Sequence, residues 1–177
     1  DGSVLWVAPR PGKTAVIPTP VIKDNYIYVT SGYGVGCDLF KINSEGGKFS
    51  AEQIYQNKVM VNHHGGVILL DGFIYGFSDS SKGWICQDMM SGKEKWKNEG
   101  VGKGSIAYAD GHFYLRSEGK KGTIALIDAS SDGYKEHGRF DQPDRSGKQA
   151  WPHLVIANGK LYVRDMNLLL CYDIKAK

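Results

Sequence analysis

Apolar and polar positions alternate over many short segments of the chain, and turn residues separate these segments. The clearest examples each begin at a turn: KDNYIYV (23–29), LDGFIYG (70–76), ADGHFYL (109–115) and ANGKLYV (157–163). Alternation with a period of two is typical of half-buried β-strands. An Asn or Asp followed by Gly or Asn is typical of a tight hairpin turn, whose central residues need positive φ. The pattern therefore predicts a β-hairpin at each of four places.

A larger unit surrounds each hairpin. A short apolar strand precedes every turn, as in GGVILL, and another follows the hairpin after a loop, as in GWICQD. In three of the four units a further strand follows, with turns near Gly47, Gly92 and Gly133. The units recur about every 40 to 48 residues, which together with four antiparallel strands is typical of a propeller blade. The sequence predicts an all-β fold, a β-propeller with blades at about 15–57, 59–98, 101–141 and 151–174.

The fourth blade is predicted to be divided between the two ends of the chain. It stops after three strands, whereas residues 1–7 resemble an outer strand because Gly2 and Trp6 have the spacing of Gly92 and Trp96. Three arrangements remain open: a closed ring of four blades, half of a ring of about eight, or two copies that pair into a larger ring. Residues 1–177 are therefore expected to form a single propeller or half-propeller.

Composition narrows the possible functions only slightly. Hydrophobic residues make up 41% of the chain and charged residues 23%, and the net charge is +3. Lysines and arginines are scattered, which gives no support to nucleic-acid binding. No segment is apolar enough over the length of a membrane span. Cys86 and Cys171 precede Asp in CQD and CYD, so they are interpreted as equivalent packed positions in two blades.

The motif CQDMMSGKEKW, together with YADGHFYLRSE and LYVRDMNLLLCYD, resembles the repeat of pyrroloquinoline-quinone-like propellers. Over nearly its whole length the chain is similar to the C-terminal half of planctomycete polyvinyl-alcohol-dehydrogenase-like proteins. The resemblance implies export to the periplasm or beyond. It also implies a protein roughly twice as long, which favours the half-ring or paired-ring arrangement over a closed ring of four blades.

Two functions are considered on this basis. Quinoprotein alcohol dehydrogenases use an adjacent cysteine pair and a Glu/Asn/Asp set around calcium, and neither is recognisable here. A non-catalytic binding or scaffold propeller is therefore expected, with no cofactor and with a protein, a glycan or a small anion as partner. The alternative is a dehydrogenase, or a fragment of one, that binds pyrroloquinoline quinone with calcium.

The least repetitive segments are those that lead into the first strand of each blade, at 17–20, 62–66, 101–105 and 151–153. First strands line the central channel of a propeller, so these leading segments should converge at one mouth. The candidate ligand-binding residues there are Asn62, His63, His64, Lys103, Ser105, Trp151 and His153. Glycines in these segments either admit an anion to backbone amides or relieve crowding at the axis. No metal site is expected, because adjacent histidines on a strand point to opposite faces.

A second candidate is the polar loop that joins the third and fourth units, RFDQPDRSGKQAWPH. Its candidate residues are Asp141, Asp144 and Arg145, since long polar loops on a rigid scaffold often carry function. The alternative is a loop whose charges pair internally and pack down. Arg116 and Arg164 recur after the second-strand aromatic residues in two units, which favours structural pairing over catalysis.

Overall fold

The computed structural model describes residues 1–175. Blade 1 comprises β1 (Val21–Lys23), β2 (Tyr26–Ser31), β3 (Gly36–Glu45) and β4 (Lys48–Asn57). Blade 2 comprises β5 (Val67–Leu70), β6 (Phe73–Ser78), β7 (Gly83–Asp88) and β8 (Glu94–Asn98). Blade 3 comprises β9 (Gly104–Ala109), β10 (His112–Ser117), β11 (Ile124–Asp128) and β12 (Glu136–Phe140). Blade 4 comprises β13 (Val155–Ala157), β14 (Lys160–Asp165) and β15 (Leu168–Asp173). Within these residues no helix has the length and apolarity needed to cross a membrane.

Each blade is an antiparallel sheet in which every strand pairs with the next one along the chain. The first hairpin of each blade turns at a residue with positive φ, as predicted: Asp24, Asp71, Asp110 and Asn158. The register also aligns the repeats, because Tyr75 lies opposite Cys86 and Tyr162 lies opposite Cys171. The two cysteines are therefore equivalent in position. They differ in burial, since Cys86 is buried and Cys171 is exposed.

Apolar side chains fill the spaces between successive blades. One buried cluster includes Tyr28 and Ile85 between blades 1 and 2, and a second surrounds Phe113 between blades 2 and 3. A third cluster lies between blades 3 and 4. Trp96 packs beside Tyr75 of its own blade 2 and donates Nε1–H to the Ser130 carbonyl of blade 3 at 3.0 Å, so it links the two blades. Among residues 1–175 no such buried cluster joins blade 4 to blade 1.

The amino-terminal segment departs from the sequence prediction. Residues 1–7 form no strand, and the fourth sheet has three strands in the described part of the chain. The segment is instead attached to blade 1 by Arg10, whose Nε donates to Asp38 Oδ2 at 2.6 Å and whose guanidinium also bonds Ser31 Oγ at 2.8 Å. Asp38 is fully buried, and a buried carboxylate is costly without a cationic partner. This ion pair ties the segment to β2 and β3, and residues 1–7 join no sheet edge.

We expect Trp84→Ala to lower the free energy of unfolding by about 3–5 kcal/mol, the usual cost of truncating a buried large aromatic side chain. Trp84 is 1% exposed, packs its ring edge-on to Phe77, and donates Nε1–H to the Gly102 carbonyl at 3.0 Å. Urea denaturation followed by far-UV circular dichroism measures the change. The control is Trp151→Ala, which removes a half-exposed indole and should cost less than about 1 kcal/mol. Equal losses in the two variants would contradict the assigned packing between blades.

Candidate functional site at the channel mouth

The segments that lead into the four first strands meet around the propeller axis. They line a partly open pocket of about 380 Å³ to which all four blades contribute, with Pro18, His64, Ile106 and His153 each coming from a different one. Antiparallel hairpins also bring the end of each second strand beside the start of the first, since Ser117 on β10 pairs with Gly104 on β9. Residues that follow the second strands therefore share this mouth.

Glycines allow the backbones to pass each other closely at the axis. A Cβ atom at Gly65 would lie 1.9 Å from the carbonyl oxygen of Gly104, and a Cβ atom at Gly104 would lie 1.7 Å from that of Arg116. No side chain fits at either distance. The Gly65 carbonyl also accepts a hydrogen bond of 3.4 Å from the Ile106 amide, which links blades 2 and 3. Packing therefore accounts for both glycines without a ligand.

Asn62 holds the loop of blade 2 in shape. Its Oδ1 accepts from the Gly66 amide, and its Nδ2 donates to the carbonyls of Gly66 and Phe77, all at 3.0 Å. The side chain is 1% exposed, so its polar groups are engaged inside the protein. Gly66 has a φ of 74°, a conformation that favours glycine. Asn62 thus positions the two histidines that follow it and offers no free group to a ligand.

His64 is buried against a carboxylate. Its Nε2 lies 2.8 Å from Oε2 of Glu118, and its ring lies 5.3 Å from that of Trp151. Burial lowers the pKa of His64 below the usual 6.5; Glu118 opposes this shift, whereas His63 and Lys103 add to it. The imidazole is therefore neutral at pH 7, with its hydrogen on the nitrogen that faces Glu118. Its Nδ1 then carries a lone pair, buried and without a hydrogen-bond partner in the described structure.

His63 belongs to a separate chain of contacts. Its Nδ1 lies 3.1 Å from the ammonium of Lys103, which can only donate, so Nδ1 accepts. The hydrogen of neutral His63 is then on Nε2, which lies 2.9 Å from the Tyr33 hydroxyl. Lys103 also pairs with Asp79 at 2.8 Å. The positive charge of Lys103 is consequently compensated inside the protein.

Two further predicted residues contact the mouth in different ways. His153 places Nε2 2.7 Å from the His64 carbonyl, and because a carbonyl only accepts, this nitrogen donates. It thereby connects the leading segments of blades 4 and 2. Ser105 is 3% exposed, and its hydroxyl has no hydrogen-bond partner among the described residues.

A larger cleft of about 820 Å³ opens beside the mouth, between the loop after β10 and the loop before β13. Its lining includes an aromatic ring, three cationic groups, a carboxylate and a thioether: Trp151, Lys120, Arg145, Lys148, Glu118 and Met166. Trp151 is 49% exposed and forms the wall between this cleft and His64. Arg145 pairs with buried Asp165 at 3.3 Å, whereas Lys120 and Lys148 are exposed. The cleft combines a flat apolar wall with two solvent-facing cations.

The loop between blades 3 and 4 is held in part by the segment between β10 and β11. Asp141 accepts from Thr123 Oγ1 at 2.7 Å and pairs with Lys121 at 3.2 Å, while Asp144 is exposed with a φ of 51°. Neither carboxylate lines the cleft; Arg145 is the predicted loop residue that does.

Arg116 supports the base of this loop from inside. Its guanidinium is 1% exposed and donates to Gln142 Oε1 at 2.7 Å and to the Arg164 carbonyl at 2.7 Å. These bonds give Arg116 the structural role predicted for it. Arg164 itself is exposed and bonds the Met166 carbonyl at 3.1 Å.

Sequence reasoning missed the acidic residues of the mouth, because it searched only the leading segments. Asp79 and Glu118 each follow directly after the second strand of their blade, and Asp165 ends the second strand of blade 4. A signal for them existed: in an antiparallel hairpin the end of the second strand lies beside the start of the first. The carboxylate that lies beside His64 is that of Glu118.

Comparison with known proteins identifies the architecture. The computationally designed Ika4 protein aligns with a TM-score of 0.66 and 12% identity, covering 99% of this chain and 100% of its own. The designed Ika8 protein aligns with a TM-score of 0.67 and 10% identity, covering 96% of this chain, which spans 49% of Ika8. At these identities the likeness shows the fold alone. The chain has a β-propeller fold.

A europium-containing methanol dehydrogenase aligns less closely, with a TM-score of 0.49 and 16% identity over 71% of this chain and 24% of the enzyme. That overlap is too loose to support an argument about function. No protein-family model matches the sequence, and neither does any curated protein.

We expect Glu118→Gln to lower the pKa of His64 further, because the substitution removes the negative charge that favours the imidazolium while burial persists. Titration of the imidazole nitrogens by NMR measures the shift. Because the pKa is already depressed, the wild-type free energy of unfolding should fall as the pH drops below about 6.5, where the unfolded chain binds the proton first. His64→Gln should remove this part of the pH dependence. An unchanged or higher His64 pKa in Glu118→Gln would contradict the pairing.

Proposed function

We propose that the protein is a binding propeller that holds a small anionic ligand with a flat ring in the cleft beside the channel mouth. The observation that carries this proposal is the half-exposed indole of Trp151 in a cleft whose solvent-facing charges are Lys120 and Lys148. A flat ring stacks favourably on an indole, and exposed ammonium groups attract carboxylates or phosphates. Ligand sites commonly pair an apolar wall with a few polar groups in this way.

The ionic groups of the mouth favour binding over catalysis. Glu118 is engaged by His64 and Asp79 by Lys103, each at 2.8 Å. A general base needs a group that is free to take a substrate proton. The lone pair on His64 Nδ1 would qualify chemically, but the atom is buried and reaches no solvent. The pairing with His64 instead holds Glu118, the carboxylate that lines the cleft, in place.

The donor atoms around the cleft do not suit the quinoprotein alternative. Calcium prefers six to eight oxygen ligands, usually with several carboxylates. The cleft lining supplies one carboxylate, Glu118, which already faces His64. Cys37 and Cys86 are buried within or between blades, and Cys171 lies on β15, so no adjacent cysteine pair stands at the mouth. The residues do not fit a calcium–quinone pair, although the quinone alone, as a flat tricarboxylate, has the chemistry that the cleft would accept.

Isothermal titration with pyrroloquinoline quinone as the flat anionic probe tests the proposal. We expect saturable binding that Lys120→Ala/Lys148→Ala weakens roughly tenfold, since two exposed ion pairs at about 0.5–1 kcal/mol each amount to about one factor of ten. Lys97→Ala removes an exposed lysine on β8, outside the cleft, and should leave the affinity unchanged. Absence of saturable heat, or an equal loss in the Lys97 control, would overturn the proposal. Calcium-dependent binding with dye-linked alcohol oxidation would favour the dehydrogenase instead.

Citrate separates the contribution of the ring from that of charge, because it carries three carboxylates without a flat face. We expect the wild-type protein to bind the quinone more tightly than citrate, and Trp151→Leu to lose most of that preference while its citrate affinity is retained. The same titration measures both probes. Equal affinities for the two probes in the wild-type protein would show that Trp151 provides no stacking surface.

A further inference from the structure

Two histidines and an aspartate meet on blade 3, away from the channel mouth. His112 begins β10 and lies directly opposite Asp128, the last residue of β11. The pairing of β11 with β12 is irregular between Leu126 and Ile127, where Gly138 and Glu136 are their partners. His137 is therefore the extra residue of a β-bulge, and a bulge changes the direction of the side chain that it carries. Here the irregular pairing brings His137 to Asp128.

The donor atoms of the three side chains face one another. Nε2 of His137 contacts Oδ1 of Asp128, and Nε2 of His112 lies 3.8 Å from the same oxygen. All three donor atoms lie within 4.8 Å of one another, and the two imidazole rings are 5.1 Å apart in an edge-to-face arrangement. Zinc binds imidazole nitrogen and carboxylate oxygen at about 2.0–2.2 Å, so adjustments of the side chains would admit one ion.

A hydrogen bond outside the cluster prepares His112 as a ligand. Nδ1 of His112 lies 2.7 Å from the Asp110 carbonyl, which only accepts, so the hydrogen of His112 is on Nδ1. Its Nε2 therefore presents a lone pair toward Asp128. Metal-binding histidines commonly donate their other ring N–H to a carbonyl or carboxylate in this manner.

Lys135 weakens the attraction of Asp128 for a metal ion but leaves one of its carboxylate oxygens to the histidines. Its ammonium lies 3.2 Å from Oδ2 of Asp128, whereas both histidines face Oδ1. One carboxylate oxygen is thus engaged by the lysine and the other faces the imidazoles. His112, Asp128 and His137 are each about one-third exposed, so water could complete the coordination.

We propose that His112, Asp128 and His137 bind one divalent transition-metal ion of the zinc class. Two imidazoles with one carboxylate suit zinc, copper, nickel or cobalt, whereas calcium requires more oxygen ligands. This site is independent of the cleft proposed above, because the lining residues of that cleft include none of the three.

Calorimetric titration of the folded chain with zinc chloride tests the site. Cys171→Ser serves as the background, because its parent residue is an exposed thiol that could bind zinc elsewhere. We expect one zinc ion per chain and a loss of at least roughly tenfold in affinity for His112→Ala and for His137→Ala. His153→Ala, which removes a histidine of the channel mouth, should leave the affinity unchanged. Lys135→Met should tighten binding several-fold, because it removes a cation beside the ligand carboxylate.

A second measurement uses only the wild-type protein, so it does not require any variant to fold. Zinc added to the wild-type protein should shift the imidazole nitrogen resonances of His112 and His137 in NMR spectra, while those of His63 and His153 stay in place. Calcium at the same concentration should shift none of them. Absence of saturable zinc binding, or binding that survives in both His112→Ala and His137→Ala, would overturn the proposal and leave the cluster as a hydrogen-bonded Asp–His pair.

Discussion

The close passage of backbone over backbone at the propeller axis is the constraint on which the rest of the structure depends. Gly65 lies against the Gly104 carbonyl, and Gly104 lies against that of Arg116, with no room for a Cβ atom at either position. This contact sets the distance between the first strands of blades 2 and 3. An apolar layer fills the space between these two blades, which widens away from the axis. This layer includes Trp84 and Phe113. A side chain at Gly65 would force these two blades apart and expose that layer, whereas one at Gly104 would disturb the pairing of β9 with β10 inside blade 3.

The same convergence explains the electrostatics of the mouth. Leading segments and second-strand ends meet there, so cationic or imidazole groups of one blade lie against carboxylates of a neighbouring blade: His64 against Glu118, and Lys103 against Asp79. Lys103 and Asp79 are each partly buried, so their pairing offsets part of the cost of removing the two charges from water. The cations that face solvent lie in the neighbouring cleft, where Lys120 and Lys148 line the same wall region as Trp151. The polar mouth acts as a rigid support, and the cleft offers the free surface.

Blade 3 carries a candidate site at each of its ends. Its second strand begins at His112 and is followed by Glu118, so the proposed metal cluster and the mouth are separated by the length of one strand, roughly 20 Å at about 3.3 Å per residue. The two sites differ in construction. The mouth depends on contacts between blades, whereas the histidine–aspartate cluster is built within a single sheet by its register and one bulge. The metal cluster therefore needs no other blade, while the mouth does.

The sequence by itself determined the blades, because alternation of apolar residues and Asn-Gly or Asp-Gly turns are local signals that specify strands and hairpins. It also indicated that His63, His64, Lys103, Trp151 and His153 lie around one mouth, since first strands of a propeller line the axis. Only the tertiary structure decided that Asn62 supports a loop, that Glu118 faces His64, and that Arg10 attaches the first residues to blade 1. Those contacts join residues far apart in the chain. The packing of the sheets brings these residues together, so short-range patterns in the sequence do not predict the contacts.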